Sequence, residues 1–173
     1  MQSVFAGRSI PSRLASAASG PRFAHGLAAL VGSLVVGCAA PMPAALADGR
    51  ARLAPCPASP NCVSSEAGDE RHAIAALAVR GDVDASWSAL VAHLEGLPRV
   101  EVVRREDDYL HAVFTTRVMR YRDDVEFALD RAAHRIRVRS ASRIGYGDMG
   151  ANRARIEAIR RALAEQGLVE PRS

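Results

Sequence analysis

Val100-Glu101-Val102-Val103-Arg104-Arg105-Glu106-Asp107-Asp108-Tyr109-Leu110-His111-Ala112-Val113-Phe114 is the stretch whose reading decides the fold. β-branched and apolar residues run from Val100 to Arg105, Asp107-Asp108 supplies turn chemistry, and a second extended run spans Tyr109 to Val118, so the segment predicts a β-hairpin. In the second strand Leu110, Ala112 and Phe114 alternate with Tyr109, His111 and Val113. Successive strand residues point to opposite faces, so the first set is expected to face a core and His111 to be solvated on the outer face. Moving toward the C-terminus, Asp123 to Asp130 repeats the pattern with Val125, Phe127 and Leu129. Arg135 to Ser140 alternates Arg135, Arg137 and Arg139 with Ile136 and Val138. The sheet is thus expected to have one apolar face and one densely cationic face. A glycine-rich loop from Arg143 to Gly150 leads into a helix over Asn152–Gln166, whose Ile156, Ile159 and Leu163 form an i, i+3, i+7 stripe ended by Gly167.

Toward the N-terminus, Asp82 or Asp84 can cap a helix running to about Gly96, with Trp87, Leu90, Val91 and Leu94 on one face. His72 to Val79 reads as a first strand and Val63 to Arg71 as surface turn. The resulting order is strand, helix, four-strand meander, helix. It predicts an α+β fold: an antiparallel sheet of about five strands with two helices packed on one face.

The first 47 residues read as a removable leader. Arg8, Arg13 and Arg22 precede an apolar stretch from Gly26 to Ala40, and no acidic residue occurs before Asp48. At about 15 residues the stretch is shorter than the roughly 20 that span a bilayer as a helix. Two cuts compete. Ala45-Leu46-Ala47 fits the small-x-small pattern before Asp48, and Val35-Val36-Gly37-Cys38 resembles a bacterial lipobox in which Cys38 is acylated. The first leaves a soluble periplasmic protein; the second leaves a lipoprotein on a membrane surface. A transit peptide for an organelle is a third reading. The domain organisation is therefore leader 1–47, linker 48–55, one globular domain 56–167 and tail 168–173.

All 23 basic residues are arginine, and three of them lie in the leader. From Asp48 onward 20 arginines face 19 acidic residues, and so even a balance offers no cationic surplus for nucleic acid. With Cys38 acylated or removed, Cys56 and Cys62 remain as an even pair. Five residues including two prolines separate them, a turn-rich loop within disulfide reach, and in an oxidising compartment a disulfide is the expectation. The spacing is not that of a Cys-x-x-Cys redox motif. A metal site lacks partners, since only His72 is close in sequence.

The most specific patterns are the opening Cys56-Pro57-Ala58-Ser59-Pro60-Asn61-Cys62-Val63-Ser64-Ser65 and the close from Ser140 to Ile156, Ser-Ala-Ser-Arg-Ile-Gly-Tyr-Gly-Asp-Met-Gly-Ala-Asn-Arg-Ala-Arg-Ile. Together with Asp123-Asp124 and Phe127 they resemble an uncharacterised family, a domain of unknown function, of bacterial envelope and plant plastid proteins. The resemblance spans roughly Cys56 to Leu163 and departs at Ala75-Ala76, where such proteins often carry proline. It implies a fold and a compartment but no reaction.

Read physically, three glycines before a helix start favour an anion, and Ser140, Ser142, Arg143, Asp148, Asn152 and Arg153 form a candidate ligand-binding cluster. The competing reading makes the same residues structural: Asp148 caps the helix, Arg143 or Arg153 pairs with Asp123 or Asp124, and the glycines serve a positive-φ turn. No cofactor is expected, because the loop lacks the lysine of a phosphate loop and the spacing of a dinucleotide fingerprint. A serine hydrolase would need Ser140 or Ser142 beside His111 or His134 with Asp124 as the acid, and no nucleophile-elbow pattern surrounds either serine. The leading expectation is a non-catalytic exported envelope module binding a small anionic ligand or an envelope protein. A small hydrolase and a purely structural envelope protein are the alternatives.

Overall fold

The computed structural model describes residues 53–172. The expected leader, both cleavage sites and Cys38 lie outside the described residues. The elements are β1 (Cys62–Ser64), β2 (Leu77–Ala78), α1 (Val83–Glu95), β3 (Val100–Arg105), β4 (Tyr109–Thr115), β5 (Arg122–Asp130), β6 (Arg135–Ser142) and α2 (Ala151–Glu165). They form an antiparallel sheet of order β1-β6-β5-β4-β3, with β2 pairing β6 beside β1. The α+β class and the strand, helix, meander, helix order are as the periodicity predicts.

The meander follows the alternation closely. Leu110, Ala112 and Phe114 stand opposite Phe127, Val125 and Asp123, which in turn stand opposite Val138, Ser140 and Ser142. This face meets the helices: Leu90 and Leu94 of α1 and Ile156 and Leu163 of α2 are fully buried in one core with Leu110, Phe127, Ile136 and Val138. Each such side chain contributes about 1.5–3 kcal/mol by leaving water. Helix α1 starts where its cap predicts, with the Asp82 carboxylate accepting from the Ala85 N–H at 2.7 Å. A bulge puts Val103 out of register between the Val102–Ala112 and Arg104–His111 pairs.

Four expectations change. The stretch read as surface turn contains β1, because Cys62, Val63 and Ser64 pair with Ala141, Ser140 and Arg139 along the upper half of β6. The strand expected over His72–Val79 shrinks to Leu77–Ala78, pairing with the lower half of the same edge. Just before it, the carbonyls of Ala75 and Ala76 are taken by the buried Arg160 of α2 at 2.6 and 2.9 Å. The segment 168–173 is more than a tail: Val169 is fully buried and bridges to Val79.

The fourth concerns the outer face. His111, expected to be solvated, is 9% exposed, and Arg137 is buried as well. The cationic row is interleaved with acids: Arg137 donates to Glu66 at 2.5 Å, Arg139 to Glu126 at 3.4 Å, and Arg135 to Asp130 at 3.3 Å. Charge neutralisation across strands lets this face be covered. Residues read as linker do part of the covering, since Leu53 packs on Tyr109 and Ala128, and the Ala54 N–H reaches Glu126 at 3.0 Å.

Candidate functional site

The two signature segments meet at one end of the sheet. The disulfide Cys56–Cys62 closes the opening loop and sets Asn61 against the strand end. There the Asn61 carbonyl accepts from the Ser142 N–H at 3.0 Å, and its side-chain amide donates to the Gly145 carbonyl at 2.6 Å. His72 supports the same loop, its Nε2 at 3.1 Å from the Ser59 carbonyl and its Nδ1 at 2.8 Å from Asp69.

Asn152, fully buried in the first turn of α2, ties the pieces together. Its Nδ2 lies 2.9 Å from the Asn61 carbonyl, 3.0 Å from Ser142 Oγ and 2.8 Å from Asp148 Oδ2. Its Oδ1 accepts from Ser140 Oγ at 2.7 Å and from Arg155 at 2.6 Å. Arg155 also donates to Ser140 Oγ at 2.8 Å, pairs with the buried Asp123 and lies over the Phe114 ring at 4.9 Å. Asp148 accepts from the N–H groups of Gly150 and Asn152 at 3.0 and 2.8 Å. Burial pushes its carboxyl up, but these amide donors outweigh burial and hold it below the ordinary value. The chain's own carboxylate thus occupies the anion position at the start of α2. Gly145 and Gly150 take φ of 93° and 82°, a region costly for other residues.

Of the cluster expected from sequence, Ser140, Ser142, Asp148 and Asn152 come together. Arg143 does not join them. Just past the end of β6, it reaches to the other face and forms a two-pronged pair with Asp124 at 2.7 and 2.8 Å, while Asp124 also accepts from His111 Nε2 at 2.8 Å. Arg153 is half-buried and donates to the Arg71 carbonyl at 3.2 Å, at a cleft lined by Pro60, Val63, Arg71, Gly147, Asp148 and Gly150. Asn61, Asp123 and Arg155 were not among the expected site residues. Asn61 and Arg155 lie inside the quoted motifs and Asp123 is quoted beside them, which was the one signal available.

The residues of a serine hydrolase are separated by the sheet itself. Ser140 faces the helices and hydrogen-bonds Asn152 and Arg155, whereas His111 and Asp124 lie on the opposite face; His134 sits exposed in the β5–β6 turn. Among the described residues no group of three or more His, Cys, Asp or Glu is placed to hold a metal ion.

Asp124 carries a pH dependence. Burial raises its carboxyl, but the hydrogen bonds from His111 and Arg143 and the arginine charge prevail and hold it well below the usual range. A depressed folded-state value means its stabilisation is complete above the unfolded value near about 4 and is lost as pH falls through the folded value. Urea unfolding at stepped pH should therefore show stability falling below about pH 4, with a shallower slope in Asp124→Asn. Identical slopes would refute the assignment.

No curated protein and no solved structure matches the chain. Residues 52–163 match the family model described as protein of unknown function DUF1499. The match takes in the disulfide loop, the whole meander and most of α2, more than half of the 173 residues, and the chain belongs to the DUF1499 family.

Proposed function

We propose that the domain is an exported, non-catalytic envelope module that binds an anionic group, carried by a small ligand or a partner protein, at the cleft in front of α2. The observation that carries this reading is the placing of Arg71 and Arg153 on that cleft with no carboxylate partner among the described residues, in a domain where most arginines are ion-paired. Because Asp148 already holds the first amides of α2, an incoming anion would be bound by these two guanidinium groups rather than by the helix start. Ser142 and Asn152 then act as the scaffold that fixes the glycine loop. A Cys56–Cys62 disulfide suits an oxidising compartment, in line with the leader reading. If the leader is cut at Cys38, acylation would hold the module on a membrane surface; if it is cut at Asp48, the module is free in the periplasm.

Native mass spectrometry of protein purified from its own envelope is expected to show an anionic species or partner that is lost in Arg71→Ala and Arg153→Ala. Arg71 is exposed and Arg153 half-buried, with neither in the core or in an ion pair among the described residues, so stability should change by less than about 1 kcal/mol. A bare protein, or variants that lose only stability, would sink this reading.

A further inference from the structure

The end of the sheet that carries the β4–β5 turn has an unusual surface. The turn is Thr116-Arg117-Val118-Met119-Arg120-Tyr121-Arg122, closed by the Thr116 N–H donating to the Tyr121 carbonyl at 2.8 Å and by the Tyr121 N–H donating to Thr116 Oγ1 at 2.8 Å. Beside it runs Arg143-Ile144-Gly145-Tyr146-Gly147, joined by the Arg143 N–H to the Arg122 carbonyl at 3.2 Å. Val118 is 82%, Ile144 67% and Tyr146 75% exposed, and Met119 and Tyr121 are exposed too. Scattered single apolar residues on a surface are ordinary, but here five large ones lie on two adjoining turns.

The two turns themselves carry charge of one sign, and the nearest carboxylates, Glu101 and Asp124, are taken by Arg122 and Arg143. Neither turn segment contains an acidic residue. Arg143 is committed to Asp124, and Arg122 is paired with Glu101 at 3.5 Å. Arg117 and Arg120 have no carboxylate partner among the described residues, and neither has Arg99, whose carbonyl anchors the end of β4 through the Thr115 N–H at 2.9 Å. Elsewhere on the domain arginine is usually neutralised, as at Arg80–Glu170, Arg105–Glu95 and Arg131–Asp84. Apolar tips flanked by unpaired arginines, with two tyrosines among them, are the composition that settles at a lipid–water boundary. The aliphatic groups enter the acyl layer, the phenols stay at the headgroups, and the guanidinium groups meet lipid phosphates.

We propose that the turns 116–122 and 143–147 form a membrane-contacting edge that inserts Val118, Met119, Ile144 and Tyr146 shallowly into a bilayer bearing anionic headgroups. Charge complementarity selects this occupant, because the unpaired cations ring the apolar tips. The edge adjoins the cleft of the anion-binding proposal at Gly147 but draws on different cations, Arg117 and Arg120 instead of Arg71 and Arg153, and needs no acyl chain on Cys38.

The test uses the full chain with Cys38→Ser, so that no acyl chain contributes, and adds Met119→Trp or Tyr146→Trp. Trp87, buried in the core, serves as the internal control. With phosphatidylglycerol vesicles carrying brominated acyl chains, the new tryptophan should be quenched and Trp87 should not. Arg117→Ala with Arg120→Ala should weaken vesicle binding about thirtyfold, with thermal melting unchanged. The idea is overturned if the new tryptophan is not quenched, or if phosphatidylcholine vesicles bind equally well. Patch-dependent self-association in sedimentation without vesicles would likewise overturn it, by assigning the surface to a second copy.

Discussion

Asp123→Ala is expected to destabilise the domain by about 4 kcal/mol, the cost of leaving a buried cation without its counter-charge. Asp123 is 3% exposed and its carboxylate pairs with Arg155, whose side chain is itself almost wholly covered. The guanidinium is held by Ser140, by Asn152 and by the Phe114 ring, so it cannot swing to solvent without giving up all three contacts. Alanine therefore removes the attraction while the desolvation penalty of Arg155 stays. The partner experiment separates this cause from simple loss of packing. Asp123→Leu combined with Arg155→Met removes both charges and keeps most of the volume, and it should recover at least about 2 kcal/mol relative to Asp123→Ala. Urea unfolding with an unchanged m-value would report both quantities. A loss below about 1 kcal/mol in the single variant would show that the pair is not desolvated as its burial indicates.

Asn152→Ala is expected to cost about 3 kcal/mol and to lower the melting temperature on the order of 10 °C. Its amide is the common partner of the Asn61 carbonyl, Ser142, Asp148, Ser140 and Arg155, and all of these contacts lie at or beneath the surface of a tight junction. Truncation leaves buried donors and acceptors unmet, which is more damaging than losing the bonds between them would suggest. Asn152→Asp sharpens the reading. It keeps the shape but sets a carboxylate where Nδ2 faced Asp148 Oδ2 at 2.8 Å, so it should be at least as harmful as alanine at neutral pH and should improve as the solution is acidified. Thermal melts at two pH values check this; an Asn152→Asp variant as stable as the parent would refute the network.

Much of the fold was legible because alternation and helical spacing are local. Val125, Phe127 and Leu129 sit two apart, and Ile156, Ile159 and Leu163 sit at helical intervals, so periodicity alone places them on the core face where they are found. The short strands were not legible. Cys62–Ser64 has no alternation long enough to read, and it becomes a strand because the edge of β6 offers it unpaired backbone groups. Four of the six residues of the candidate cluster were legible in the same sense. The motif names Ser140, Ser142, Asp148 and Asn152, but nothing in it says that Arg143, one residue beyond Ser142, crosses to the other face to meet Asp124, or that Arg155 reaches back to Asp123.

His111 gives the plainest case of what the chain order cannot say. Alternation assigns it correctly to the outer face of the sheet, and solvent would then seem its natural surroundings. Whether that face is wet depends on chain distant in sequence. Leu53 and Ala54 lie against Tyr109, Ala128 and Glu126, and the arginines of β6 are neutralised by Glu126 and Glu66, so the polar face is covered and its charges are buried in pairs. By itself the sequence determined the order of the helices and long strands, the side of the sheet that meets the helices and an aspartate at the start of α1, all set by interactions within a few residues. Only the tertiary structure decided which charges find partners and which arginines are left without one. Pairing depends on distance in space between residues far apart in the chain, and side-chain period carries no information about that.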